Sequence, residues 1–248
     1  MRSEGFWGTS PQAPSLEGGD VHVWSVELDR GDGAVTPLLA CLAPDERERA
    51  ARFYFESDRR RFTVARATLR AILGRYLARE PETLAFAYGP HGKPTLAAGC
   101  GDGALRFNLS HSHGVALIGI TRQRDIGVDV ERIRCIPDLE ALAERCFAAG
   151  ETAALRRLTT AQRAEAFFRC WTRKEAYLKA LGDGLARPLD AFEVSLLPNE
   201  PARLLSVARD PEEVFRWAFW GLAVAPDAIG AVAVSGRGGR VACWRWDG

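Results

Sequence analysis

Lys174-Glu175-Ala176-Tyr177-Leu178-Lys179-Ala180-Leu181-Gly182 repeats in outline an earlier stretch, Arg66-Ala67-Thr68-Leu69-Arg70-Ala71-Ile72-Leu73-Gly74. Both open on a basic residue, close on an apolar residue followed by Leu and Gly, and precede a set of strands, the trace that an internal duplication leaves. Around the later copy, apolar periodicity predicts a helix over 160–181, stopped by Gly182-Asp183-Gly184. Around the earlier copy, Pro44-Asp45-Glu46 opens a helical stretch to about Tyr54, and Asp58 caps a longer helix to Leu73 or Leu77, with Gly74 a weak point. Strands are expected over 21–28, 105–110, 115–121, 126–131, 191–197, 216–224 and 229–234, and helix over 139–158 with a break near Gly150. Gly89-Pro90-His91-Gly92-Lys93-Pro94 reads as a turn-rich loop.

The order, strand, helices, strands and then the same again, predicts an α+β fold with a pseudo-twofold repeat. Each half packs helices on a small, mostly antiparallel sheet. The expected boundaries are a mobile tail at 1–20, an N-terminal half at 21–125 and a C-terminal half at 126–248.

Composition narrows the function. The 248 residues carry 33 Lys+Arg and 32 Asp+Glu, a net charge of +1, which argues against a cationic nucleic-acid coat. With 47% hydrophobic and 26% charged residues the chain is globular, and no apolar run approaches the roughly 18 residues of a membrane span. Residues 1–20 lack an apolar signal core, so a cytoplasmic protein is expected. The six cysteines form no C-x-x-C pair, against structural zinc and a disulfide framework. Only Lys93, Lys174 and Lys179 interrupt a strong preference for Arg.

Four features carry chemistry. In Ile126-Gly127-Val128-Asp129-Val130-Glu131 a period of two puts Asp129 and Glu131 on one face, where they repel unless a cation lies between them; a solvent face also fits the pattern. Oxygen ligands suit a hard ion such as Mg²⁺. Glu175 projects from an apolar stripe of Ala164, Phe167, Phe168, Trp171 and Leu178, with Lys179 one turn on, either supporting it or gripping a phosphate. Asn108-Leu109-Ser110-His111-Ser112-His113 is a strand running into a polar turn with no nucleophile elbow, so an anion contact or a structural role fits better than hydrolase chemistry. Residues 47–79 hold ten Arg against three acidic residues, a positive face for a polyphosphate or an acidic partner.

Gly92-Lys93-Pro94, Phe107-Asn108-Leu109-Ser110-His111-Ser112, Gly127-Val128-Asp129-Val130-Glu131 and Trp171-Thr172-Arg173-Lys174-Glu175-Ala176, in that order, resemble the 4′-phosphopantetheinyl transferases, in their monomeric surfactin-type branch. The resemblance implies coenzyme A bound between the halves, and transfer of its phosphopantetheine arm to a serine of an apo acyl, peptidyl or aryl carrier protein with release of 3′,5′-ADP. By motif position, Asp129, Glu131 and Glu175 would hold Mg²⁺, with Mn²⁺ as a substitute, and Lys179 would contact the phosphates. Lys93, Ser110 and His111 would grip the nucleotide end, His111 near the 3′-phosphate. Glu151 would help to deprotonate the serine. Of two basic contacts expected three residues apart, Arg49 stands at the second and Glu46 at the first, a departure from the family pattern. Outward-facing Arg75 and Arg79 would meet the carrier. Two rival readings are a metal-dependent phosphohydrolase acting on coenzyme A and a non-catalytic coenzyme A- or carrier-binding protein.

Overall fold

The computed structural model describes residues 7–182 and 187–248. In the strands, period-two alternation decides which face meets which layer. On β2 (Val21–Glu27), Val21 and Val23 point one way, Trp24 and Val26 the other. β6 (Val115–Arg122) divides in the same manner: Val115 and Leu117 join the first pair, Ala116, Ile118 and Ile120 the second.

Trp24, Val26, Ile118 and Ile120 pack with Leu69, Ile72 and Leu73 of the long helix α3 (Glu56–Leu77). On the other side, Val21, Val23 and Leu117 pack against Ile126, Val128 and Val130 of β7 (Ile126–Arg132) and against Val232 and Val234 of β11 (Ala228–Ser235). The opposite face of that second sheet buries Ala231 and Ala233 with Phe167, Phe168, Tyr177 and Leu178 of α6 (Thr160–Leu181). The layers therefore run helix, sheet, sheet, helix, with β5 (Leu105–Ser112) and β7 at the seam where the two sheets meet.

The three-stranded sheet, β10 (Trp217–Ala225), β11 and β7, is antiparallel throughout. The five-stranded sheet orders β1 (Trp7–Thr9), β12 (Val241–Arg245), β2, β6 and β5. Its β2, β6 and β5 run antiparallel, and β12 lies parallel to both β1 and β2. The α+β architecture with mostly antiparallel small sheets is as the sequence predicts. Two details differ. Trp7–Thr9, expected in a mobile tail, is a paired strand, and β12, from the far end of the chain, is built into the sheet of the first half.

The helix over Thr160–Leu181 has its expected bounds, with Gly182 left-handed at φ 81° as its cap; Asp183 and Gly184 lie outside the described residues. α3 begins earlier than expected, capped by Phe55, so Asp58 lies in its first turn. Gly74 stays within the helix, and the chain folds back over it so closely that a Cβ there would stand 2.6 Å from the Arg79 carbonyl oxygen. The loop around Gly89 carries a short hairpin, β3 (Phe86–Tyr88) with β4 (Pro94–Leu96).

The two matched stretches share a local arrangement. Short helices α2 (Pro44–Ala51) and α5 (Ala149–Arg156) precede α3 and α6, and each is closed by a glutamate reaching back to its own cap. Glu46 accepts from the Ala43 amide at 3.0 Å, and Glu151 from the Ala148 amide at 2.9 Å. Each glutamate is buried and pairs with the long helix that follows: Glu46 with Arg66 and Arg70, Glu151 with Lys174. Arg66 and Lys174 are the basic residues that open the two matched stretches.

Candidate active site

Gly127 decides how closely α6 approaches β7. A Cβ at that position would fall 2.0 Å from the Ala176 carbonyl oxygen and 2.4 Å from the Ala180 amide nitrogen, so only glycine lets the helix backbone lie on the strand. Small residues complete the bed: Ala176 and Ala180 on α6, Ala231 and Ala233 on β11. With the helix seated this low, Glu175 and Lys179, one turn apart, overlook Asp129 and Glu131 on the strand face that turns away from the sheet-to-sheet core.

Lys179 Nζ stands 2.5 Å from Asp129 Oδ1 and donates to Ser110 Oγ at 2.9 Å. Ser110 Oγ donates in turn to Asp129 Oδ1 at 2.8 Å. Two residues further on, Ser112 Oγ donates to Glu131 Oε2 at 2.7 Å, and two residues earlier Asn108 Oδ1 accepts from the Val128 amide at 2.9 Å. Alternate side chains of β5 thus hold β7 across a seam that has no backbone ladder. Ser112, Asn108 and Gly127 are functional positions to which sequence reasoning assigned no role. The period-two run Asn108, Ser110, Ser112 is the signal that marks the first two.

The field at the site is strongly acidic. Burial pushes the Asp129 carboxyl above its usual range; Lys179 and Ser110 oppose this, and Glu131 adds to it. Glu175 is raised too, first by burial and then by Asp129, with Glu131 adding and Lys179 opposing. Glu175 therefore lies within the electrostatic reach of both Asp129 and Glu131. Glu175 and Lys179 line a cleft of about 280 Å³ whose other wall carries His91, the Lys93 stem, Asn108 and Leu109.

His111, the exposed residue between the two serines, has its pKa lowered, first by desolvation and then by the positive charges of Lys179, Arg49 and Arg61; Asp58 opposes them. Desolvation disfavours either sign of charge, whereas the three cations that add to it make a field that an anion meets favourably. Arg49 is on α2, its guanidinium 5.3 Å from the Phe62 ring centroid.

Two family profiles match this chain: the 4′-phosphopantetheinyl transferase superfamily over residues 125–233, and the N-terminal region of 4′-phosphopantetheinyl transferases over residues 32–121. The 4′-phosphopantetheinyl transferase HetI of Nostoc sp. is 42% identical over 240 residues, 97% of this chain and 98% of that one. The chain belongs to the 4′-phosphopantetheinyl transferase family. The 4′-phosphopantetheinyl transferase Sfp of Bacillus subtilis is 30% identical over 159 residues, 64% of this chain and 68% of that one, so likeness to the Sfp branch also holds. As a member of this family the chain is a transferase, and no helix among its described residues is long and apolar enough to cross a membrane.

The residues present fit the divalent ion that the family resemblance implies. The donors are all oxygens, suited to a hard cation, and Asp129 Oδ2 is buried without a hydrogen-bond partner. Among the described residues no three acidic, His or Cys side chains are already gathered at ligand spacing. The carboxylate oxygens have other partners: Lys179 is on Asp129 Oδ1, and Ser112 and, at 3.2 Å, Arg134 are on Glu131 Oε2.

Several sequence-predicted roles meet geometry that differs. Glu151, expected to help deprotonate the serine, is 3% exposed. Its Oε2 receives the Ala148 amide and Lys174 Nζ at 2.7 Å, and its Oε1 the Val194 amide at 2.7 Å. Both oxygens have partners inside the protein, the geometry of a strut. Glu46 is its counterpart, which explains the departure noted there: a buried carboxylate braces Arg66 at 2.5 Å and Arg70 at 2.7 Å.

Lys93 lines the cleft, but its ammonium faces the C-terminal end of α6, donating to the carbonyls of Lys179 at 2.5 Å, Ile126 at 3.2 Å and Ala180 at 3.4 Å. Of the ten arginines in the basic block five are exposed, three are half-buried and two, Arg66 and Arg70, are buried. Besides Arg66 and Arg70, Arg61 binds Asp29 at 2.6 Å. Arg75, expected to face outward, stacks 4.2 Å from the Trp246 ring centroid and binds Ser10, the Pro11 carbonyl and the Gly248 carbonyl. It fastens the two ends of the chain to α3, and Arg79 alone of that pair is exposed.

Proposed function

We propose that this protein transfers the 4′-phosphopantetheine arm of coenzyme A to a serine hydroxyl of an apo acyl, peptidyl or aryl carrier protein, as a cytoplasmic monomer, releasing 3′,5′-ADP. The observation that carries the reading is that Lys179 of α6, which lines the cleft with Glu175, reaches Asp129 of β7 at 2.5 Å, and that Asp129 Oδ2 is buried and unmatched.

In this reading Asp129, Glu131 and Glu175 hold Mg²⁺, or Mn²⁺ in its place. The ion when bound supplies positive charge against the pyrophosphate as ADP departs. Lys179 adds a fixed charge on the same side, held on Asp129 and Ser110 so that it needs no reorganisation as charge builds. His111 and Arg49, whose positive charge acts on His111, bind the 3′-phosphate end. Ser110 orients Asp129, and Lys93 fixes the end of α6 that borders the cleft. The serine oxygen forms its bond to the phosphorus bearing the pantetheine arm while the bond to the ADP oxygen breaks. The hydroxyl proton passes to a carboxylate, and with Glu151 enclosed, Glu175, which borders the cleft, is the group that receives it.

The test is mass spectrometry of a panel of apo carrier proteins incubated with the protein, coenzyme A and Mg²⁺. Gain of the phosphopantetheine mass on a carrier serine is expected. Free phosphopantetheine formed without a carrier would instead identify a phosphohydrolase, and coenzyme A binding with neither product a non-catalytic binder.

A further inference from the structure

Each carboxylate of β7 has a cation of its own. Asp129 has Lys179, an inner side chain that also holds Ser110. Glu131 has Arg134, which lies just beyond the end of β7 with 48% of its side chain exposed, and whose guanidinium rests 5.0 Å from the ring centroid of the buried Phe168. Glu131 Oε2 accepts from Arg134 Nη1 at 3.2 Å and from Ser112 Oγ at 2.7 Å.

These two donors differ in what they do to a ligand oxygen. A neutral hydroxyl aims the carboxylate and leaves its charge available, as outer hydrogen bonds do for metal ligands. A guanidinium aims it and also neutralises it. We propose that Arg134 and Ser112 are opposed positioning residues for Glu131. Arg134 competes with the divalent cation for the carboxylate, Ser112 presents the carboxylate to it, and their balance sets the cation concentration at which the site fills. Arg134 is built for release: it sits on the rim, on a long stem, with an aromatic surface to rest on after the ion pair opens. The inference rests on the metal-site reading above.

Two substitutions move one readout in opposite directions. Mn²⁺ binding to the protein with coenzyme A present, followed by the electron paramagnetic resonance signal of free Mn²⁺, is expected to tighten about two- to fivefold in Arg134→Gln, the weight of a half-exposed ion pair. Arg134→Lys should return it towards wild type. Ser112→Ala should weaken binding about tenfold or more, and Ser112→Thr, which keeps the hydroxyl, should remain close to wild type. A purely structural role would move the thermal midpoint of the metal-free protein and shift Mn²⁺ affinity in one direction only. The proposal is overturned if Arg134→Gln binds Mn²⁺ no more tightly than wild type, or if Ser112→Ala binds it equally well. If wild type takes up no Mn²⁺ and Glu131→Gln changes nothing, the metal reading fails and this one with it. If wild type binds, Glu131→Gln abolishes binding and Arg134→Gln has no effect, this inference alone is lost.

Discussion

Glu46 and Glu151 occupy matching positions in the short helices that precede the two long ones. Each accepts from the amide three residues before it, and each is braced by a cation on the long helix that follows. Their electrostatics differ. Burial pushes Glu46 up, yet Arg70 and Arg66 outweigh it and hold the carboxyl below its usual range. Glu151 has a single Lys174, and burial leaves it raised.

The first prediction separates strut from catalyst. Glu151→Ala leaves Lys174, which is fully enclosed, without its partner; breaking a buried pair in this way costs about 3–5 kcal/mol. Urea unfolding should show that loss, while turnover per folded molecule in mild conditions stays near wild type. A folded variant whose kcat drops a hundredfold or more would return Glu151 to the chemistry.

Gly127→Ala probes the bed of α6. The added methyl meets backbone atoms at 2.0 and 2.4 Å, which cannot rotate away, so the helix must lift from β7. We expect a loss at or above the usual roughly 1–3 kcal/mol of overpacking, together with a rise in the Mg²⁺ concentration needed for half-maximal rate. A variant with unchanged thermal midpoint and metal requirement would disprove this packing account.

Acidity should act on stability and activity with opposite signs. The folded-state pKa values of Asp129 and Glu175 are raised, so the native metal-free protein binds protons that the unfolded chain releases. Their contribution to stability is therefore complete below the ordinary values of 3.8 and 4.5 and is lost as pH rises through the raised values. Thermal midpoints of metal-free wild type, set against Asp129→Asn and Glu175→Gln, should show this difference, and saturating Mg²⁺ should reduce it. Activity needs the ionised forms and should fall on the acid side.

His111→Ala is expected to raise KM for coenzyme A by about tenfold or more, and KM for 3′-dephospho-coenzyme A much less, since only the former has the phosphate to lose. Equal increases for both would remove His111 from that contact.

Much of this was legible in the sequence, and the remainder has a common cause. α6 announces itself through an apolar stripe and a glycine stop, and β7 through strict alternation, because both signals are local. The pairing of β7 with α6 was legible only through motif order. The roles of Glu46, Glu151, Lys93 and Arg75 were not legible, because each is set by a partner distant in sequence: Arg66 and Arg70, Lys174, the carbonyls of Lys179 and Ala180, and Trp246. Ala43-x-x-Glu46 and Ala148-x-x-Glu151 do share a spacing, and that shared cap is the trace that sequence reading passed over. Strands β1 and β12 are short pieces whose identity comes from the neighbours they find.

The position of β12 bears on how the chain reaches its folded state and where it tolerates a cut. Val241 pairs with Val21, so the first sheet is closed by a contact spanning most of the polypeptide, the kind of pairing whose loop-closure entropy slows folding. During synthesis β2 offers an unpaired edge until the far end has left the ribosome. A chain divided between Arg122 and Ile126, at the apparent border of the halves, would leave β12 on the wrong fragment. Reassembly of two such fragments should therefore succeed only when the second carries residues 241–245.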